Sequence, residues 1–125
     1  MDLGAFTGRI LNAAFRVHSV TGPGLLESVY EAALAHELRK LGLFVETQVA
    51  LPVVYDGIKL EVGFRLDMLI EQKVIVELKS VTELSPVHSK QVLNYLHLSH
   101  LKLGLLINFN VISLRDHIIR LVIGL

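Results

Sequence analysis

The feature that most constrains the fold is the stretch DMLIEQKVIVELKS, residues 67–80, in which apolar residues fill both alternating sets of positions. Strands that are apolar on both faces are typical of the centre of a sheet that is covered on both sides. A hairpin centred on Gln72 would place Asp67 directly opposite Glu77. Because side chains alternate along a strand, Lys79 would share the face of Glu77. Three charges are therefore expected in a largely buried strand pair.

The two faces of this strand pair are predicted to differ. Leu69 and Ile75 share the face of the charged residues, whereas the other face is wholly apolar and comprises Leu66, Met68, Ile70, Val74, Val76 and Leu78. Directly opposed side chains have Cβ atoms roughly 4.5–5.5 Å apart, so facing carboxylates repel each other. Burying an unpaired charge also costs several kcal/mol. The acids therefore need a partner.

Two interpretations of the charged residues are open. Facing carboxylates suit a hard divalent cation, since Mg²⁺ prefers oxygen ligands and often takes one or two carboxylates, with water and substrate phosphate as the rest. Lys79 could then orient or deprotonate an attacking water, or stabilise developing negative charge. In the other interpretation Lys79 only pairs with Glu77 or Asp67 near solvent, at the end of the sheet.

The rest of the chain predicts one domain, 1–125, with the element order ααβββ(β)αββ and a mixed sheet flanked by helices. The Asp56-Gly57 dipeptide predicts a hairpin turn, and Ser85-Pro86 predicts a helix start. Helices are expected over about 3–20, 25–41 and 86–101. Strands are expected to end near 55, to begin near 58, and to cover 66–70, 74–78, 103–109 and 118–123.

Composition limits the classes of partner. Twelve Lys and Arg residues balance twelve Asp and Glu residues, so the formal net charge is zero. Nucleic-acid backbones are usually bound through a basic face, and the longest basic run here is the pair Arg39-Lys40. This argues against tight generic duplex binding. A near-neutral surface in a chain with 52% hydrophobic residues favours a homo-oligomer.

Localisation is inferred from features that are missing from the sequence. The chain has no cysteine, so a disulfide framework and a thiolate metal site are excluded. No apolar run approaches the ~18 residues needed to span a bilayer. The N-terminal MDLGAFTGRI lacks the basic start and apolar region of a signal peptide. A cytoplasmic protein without membrane association is the default expectation.

The segment GLLESVY, residues 24–30, matches the pattern that names the GxxExxY proteins, a small bacterial and archaeal group. The resemblance continues in order through His18, GPG at 22–24, FRLD at 64–67, VELK at 76–79, PVH at 86–88, 91–96 and 103–109. It covers most of the chain. Arg16 is a departure, because such sequences often carry an acidic residue two positions before the histidine.

The resemblance implies a fold and a set of site residues. The GxxExxY group is placed in the PD-(D/E)xK nuclease-like superfamily, whose core is a mixed sheet flanked by helices. Asp67, Glu77 and Lys79 would be its Asp…Glu-x-Lys signature, and Glu27 resembles the helical acid that supports a bound Mg²⁺ or Mn²⁺. Gln91 and Tyr95 are similar to the Gln-xxx-Tyr pair of RecB-like members, and a spacing of four places them on one helix face. No organic cofactor is implied.

Each residue taken from the resemblance also has a structural interpretation. An acid in the first helical turn, such as Glu27, is favoured by the helix dipole at roughly 0.3–1 kcal/mol whatever its function. Tyr30 lies on an apolar stripe and is predicted to be a core residue. Gln91 and Tyr95 could be a polar helix edge, and His18 could cap or pack near the glycine-rich turn.

Three functions follow from these alternatives. The first is a Mg²⁺-dependent phosphodiesterase that hydrolyses DNA or RNA, with Asp67, Glu77, Lys79, Gln91 and Tyr95 as catalytic residues. The second is a non-catalytic module that keeps the nuclease-like fold and binds nucleic acid or protein in an assembly. The third is a regulatory partner whose nuclease activity requires another protein.

Overall fold

A computed structural model describes residues 2–124 as a mixed five-stranded sheet with helices on both faces. The strand order is β1-β2-β3-β4-β5, and β3 runs parallel to β4 while the other neighbours are antiparallel. The predicted fold class is confirmed. The elements are α1 (Leu3–Thr21), α2 (Glu27–Lys40), β1 (Val45–Tyr55), β2 (Ile58–Ile70), β3 (Val74–Lys79), α3 (Pro86–Ser99), β4 (Leu103–Asn108), a 3₁₀ turn (Leu114–His117) and β5 (Ile118–Val122).

The optional extra strand of the predicted order is absent from the described residues. The predicted strand that begins near 58 and the predicted strand 66–70 are one continuous strand, β2. Gly63 does not interrupt β2, although glycine usually weakens a strand interior. A Cβ atom at Gly63 would lie 2.7 Å from the carbonyl oxygen of Leu51, so glycine is needed there because β1 approaches closely.

Two tight turns set the register of the hairpins. Asp56 and Gly57 both have positive φ, 54° and 73°, as the predicted two-residue hairpin turn requires. Glu71 and Gln72 also have positive φ, 53° and 54°, and join β2 to β3. The pairs Met68↔Val76, Leu69↔Ile75 and Ile70↔Val74 follow. This register is the one predicted for a hairpin centred on Gln72.

The sheet separates two apolar cores. The larger core lies between the sheet and helices α1 and α2, and the smaller core lies between the sheet and α3. The predicted face is wrong for Leu66, which packs with Ile75 and Tyr95 in the smaller core, while its strand neighbour Met68 packs in the larger one. Alternation is interrupted between these two positions, opposite Gln48, whose φ is 53°. No helix within 2–124 has the length and apolar character needed to cross a membrane.

The β1–β2 hairpin is much longer than its neighbour in the sheet. β1 has 11 residues and β2 has 13, but β3 has only 6, so the outer part of the hairpin extends beyond β3. Four large apolar side chains there are mostly exposed: Val54 60%, Tyr55 71%, Ile58 62% and Val62 73%. We call the segment 54–62 the outer hairpin.

Candidate active site

Asp67 and Glu77 lie where β2 and β3 stop pairing through their backbones. Met68↔Val76 is the last backbone pair at this end of the hairpin. Beyond it, the backbone N–H of Asp67 donates to Oε1 of Glu77 at 3.0 Å. The backbone N–H of Leu78 donates to Oδ2 of Asp67 at 2.9 Å. The two carboxylates therefore replace the backbone acceptors at the opening of the ladder and are held together there.

The Glu77 carboxyl group is strongly perturbed by its surroundings. Only 3% of the residue is exposed. Burial raises the pKa of Glu77 from 4.5 to about 8, and the charge of Asp67 contributes in the same direction. The Asp67 backbone N–H and the positive charge of Lys79 oppose the rise in pKa. At neutral pH the Glu77 carboxyl group therefore keeps its proton unless a cation offsets the negative charge.

Lys79 is half-buried at the end of β3 and forms no ion pair with either acid among the described residues. The interpretation in which Lys79 only pairs with Glu77 or Asp67 is therefore not what the structure shows. Its ammonium group is close enough to lower the pKa of Glu77, yet it makes no direct salt bridge. An anionic ligand at this end of the sheet could contact it.

The backbone after Lys79 is held by a residue that the sequence did not single out. Asn108 pairs with Lys79 across β3 and β4 and is fully buried. Its amide accepts from the N–H of Val81 at 3.1 Å and donates to the carbonyl of Val81 at 3.0 Å. The sequence signal for Asn108 was a single amide side chain at the end of the apolar run LGLLIN, residues 103–108.

Gln91 and Tyr95 lie on α3, which covers the face of the sheet that carries Glu77. Tyr95 is 4% exposed, and its ring centroid is 5.2 Å from that of Phe64. Burial raises the pKa of the Tyr95 hydroxyl group, and the charges of Glu77 and Asp67 raise it further. A hydrogen bond from the side chain of Gln91 lowers it. The tyrosine hydroxyl therefore lies within electrostatic range of both acids and is not a solvated helix edge.

The loop before α2 is held by Tyr30, which is fully buried as predicted. Its ring stacks on Phe109 with centroids 4.6 Å apart. Its hydroxyl donates to the carbonyl of Gly22 at 2.7 Å and accepts from the N–H of Leu25 at 3.2 Å. Gly24, with φ of 98°, makes the left-handed turn between them. These contacts explain physically why glycine and tyrosine flank an acid in GLLESVY.

Glu27 begins α2 and reaches the end of β3. Its Oε2 accepts from the backbone N–H of Ser80 at 3.4 Å. The hydroxyl of Ser80 donates to the carbonyl of Leu25 at 2.6 Å, which ties the start of α2 to the residue after Lys79. Glu27 also shares a cavity of about 230 Å³ with Asp67. The predicted helical acid thus lies on the same cavity as one of the two strand acids.

The cavity has three further polar residues that sequence reasoning missed, Ser28, Glu31 and Gln48. Its lining comprises Glu27, Ser28, Glu31, Gln48, Asp67 and Leu78. Nε2 of Gln48 donates to Oε1 of Glu31 at 2.8 Å. Glu31 lies four residues after Glu27 and therefore on the same helix face, which was a signal available in the sequence. Gln48 gave no such signal, because nothing local marks its backbone conformation.

The donor set fits one kind of metal ion. Within residues 2–124, no three His, Cys, Asp or Glu side chains are grouped closely enough to hold a metal. The predicted ligand set of Asp67, Glu77 and Glu27 is therefore not assembled as a three-carboxylate site. Asp67 and Glu77 do converge, and one oxygen of each has a backbone donor. Two carboxylates are what Mg²⁺ commonly takes from a protein.

Fold and site together define a nuclease-like class: a mixed sheet with helices on both faces, and two acids and a lysine where a central strand pair opens. The model of the PD-(D/E)XK nuclease superfamily matches residues 5–121, and the chain belongs to that superfamily. No curated protein and no solved structure matches the chain at a significant level.

Proposed function

We propose that this chain is a phosphodiesterase that hydrolyses DNA or RNA with the help of Mg²⁺ or Mn²⁺. The observation that carries the proposal is the convergence of Asp67 and Glu77, with Lys79 beside them and free of any salt bridge among the described residues. Membership of the superfamily supports a nucleic-acid substrate. The closer resemblance to the GxxExxY group is part of this proposal.

Asp67 and Glu77 would hold the cation, and Glu27 would support it from the shared cavity. When bound, Mg²⁺ polarises a phosphoryl oxygen and offsets charge that develops in the transition state. Lys79 would orient the attacking water or stabilise negative charge on the phosphate. Gln91 and Tyr95 would donate hydrogen bonds on the α3 side.

Electrostatics explains why phosphate and cation should bind together. The cavity is lined by Glu27, Glu31 and Asp67, so its own charge repels a phosphate group. Burial and the charge of Asp67 already disfavour ionised Glu77. A divalent cation would relieve both effects, because it pairs with the carboxylates and attracts the phosphate. The neutral net charge of the chain makes this local attraction more important.

Lys79→Ala should lower metal-dependent cleavage by about 10²-fold or more, because one preorganised donor at a transition-state charge contributes about that much. The assay compares wild type and variant on single-stranded, duplex and flapped DNA and RNA, with Mg²⁺ or Mn²⁺. Lys73→Ala is the matched control, since Lys73 is an exposed lysine in the β2–β3 turn. It should cleave like wild type. Absence of metal-dependent cleavage by wild type on every substrate would refute the proposal.

A second candidate function, an assembly module, is favoured by the outer hairpin. An isolated two-stranded hairpin is only marginally stable in water, yet this one extends past β3 with four exposed apolar side chains. The segment contains Asp56 and Glu61 but only Lys59 as a basic residue, so its formal net charge is −1. An apolar surface without excess positive charge does not suit a phosphate backbone. We propose that it pairs with the same surface of a second copy, since such symmetric contacts are self-complementary.

Val62→Lys should convert a dimer to a monomer, because it places a charge at the most exposed of the four apolar side chains. Light scattering coupled to size-exclusion chromatography at several concentrations measures the change. Glu61→Lys is the matched control, since it adds the same side chain one position away without removing an apolar contact. The control should stay dimeric. A wild-type protein that is monomeric at all concentrations would rule out this assembly.

A further inference from the structure

We infer that Gln48 is a positioning residue whose left-handed backbone directs Asp67 into the cavity that contains Glu27. Gln48 has a φ of 53° in the middle of β1. The flanking pairs Thr47↔Met68 and Val49↔Leu66 place it directly opposite Asp67. A residue with left-handed backbone, in a stretch of β1 that keeps one register with β2 from Val45 to Pro52, therefore faces the acid that defines the site.

The strained position coincides with a change of face in both strands. In β1, Val45 packs in the larger core, but Val49, four residues later, packs in the smaller one. In β2, Met68 packs in the larger core and Leu66 in the smaller one. Regular alternation would keep each pair on one face. Both strands therefore rotate at the level of Gln48 and Asp67.

This rotation decides which side of the sheet Asp67 can reach. Leu69 packs against the smaller core. If side chains alternated regularly from Leu69, Asp67 would point toward α3 and away from Glu27. Counted from Leu66, across the face change, it would point toward α2. Asp67 lines the cavity with Glu27 of α2. Without the change of face, the acid would lie on the wrong side of the sheet for that cavity.

Two contacts hold Gln48 in this conformation. Its side-chain amide donates to Glu31 on α2 at 2.8 Å. Its carbonyl accepts from Nη1 of Arg65 on the neighbouring strand at 3.2 Å. The left-handed region is unfavourable for residues other than glycine and most unfavourable for β-branched ones. The helix and the adjacent strand thus stabilise a backbone conformation that glutamine alone would not choose.

The test compares Gln48→Val, which disfavours positive φ, with Gln48→Gly, which allows it. Amide hydrogen exchange is read at Asp67 and Leu78, whose N–H groups donate to the opposing carboxylates. Gln48→Val should speed exchange at both amides by about tenfold, whereas Gln48→Gly should leave them near wild type. Thr47→Val is the control, because it adds valine at the preceding exposed position of the regular ladder.

Gln48→Ala, with a smaller penalty at positive φ, provides an intermediate case if the valine variant does not fold. Equal exchange in the valine, alanine and glycine variants would overturn the inference, as would an equal effect of Thr47→Val. The consequence for Mg²⁺ affinity rests on the proposed function and is measured separately by calorimetry. If wild type binds no Mg²⁺, the proposed metal site fails while the exchange pattern still decides the role of Gln48.

Discussion

Asp67→Asn is expected to abolish Mg²⁺ binding and to lower metal-dependent cleavage by roughly 10²–10³-fold or more, while the fold is retained. The amide oxygen of asparagine can still accept from the N–H of Leu78, which Oδ2 of Asp67 accepts at 2.9 Å. The local backbone at the opening of β2 and β3 therefore keeps its partner. What disappears is the negative charge, which is the property that a hard cation requires. Calorimetry with Mg²⁺ and Mn²⁺, the cleavage assay and urea unfolding measure the three effects.

Asp56→Asn provides the control for this experiment. Asp56 is an exposed acid in the β1–β2 turn, and asparagine tolerates its positive φ of 54°. The same chemical change there should leave metal binding and cleavage intact. Undiminished Mg²⁺ affinity in Asp67→Asn would exclude Asp67 as a ligand. Global unfolding of Asp67→Asn would instead show that the negative charge of Asp67, rather than its hydrogen bond with the N–H of Leu78, maintains the opening between β2 and β3.

Folding stability should fall as pH rises from about 5 to about 8, and Glu77→Gln should remove most of this fall. The pKa of Glu77 is raised from 4.5 to about 8 in the folded protein, mainly by burial. Between these values the folded state binds a proton that the unfolded state has lost, so the free energy of unfolding decreases with pH. The pKa difference corresponds to about 3–5 kcal/mol over the whole interval. Urea unfolding at a series of pH values measures it.

The glutamine variant resembles the protonated acid and should match wild type near pH 5 but exceed its stability near pH 9. Its amide oxygen can accept from the N–H of Asp67, as Oε1 of Glu77 does at 3.0 Å. Glu83→Gln is the control, because Glu83 is exposed and should leave the pH profile unchanged. A wild-type stability that is flat over this pH range would contradict the predicted titration of Glu77. Added Mg²⁺ should offset the fall if the cation binds ionised Glu77.

Local patterns carried much of the information about this protein. The Asp56-Gly57 dipeptide and the proline after Ser85 are short-range signals, so the β1–β2 hairpin and the start of α3 were predictable. The central hairpin could be aligned because a two-residue period and one turn centre set its register. The pairing of Asp67 with Glu77 followed from that register. The face of Leu66 did not follow from the register, because the alternation of faces breaks between Leu66 and Met68.

The sequence by itself determined the fold class and brought the acid pair and Lys79 to one end of the central strands, because alternation and turn chemistry are local properties. Only the tertiary structure decided how those residues are placed. The raised pKa of Glu77 comes from burial by packed neighbours, which no local pattern encodes. The cavity shared by Glu27 and Asp67 depends on the left-handed Gln48, which is held by contacts from Glu31 and Arg65. Both contacts join residues 17 positions apart in the chain, so only folding brings them together.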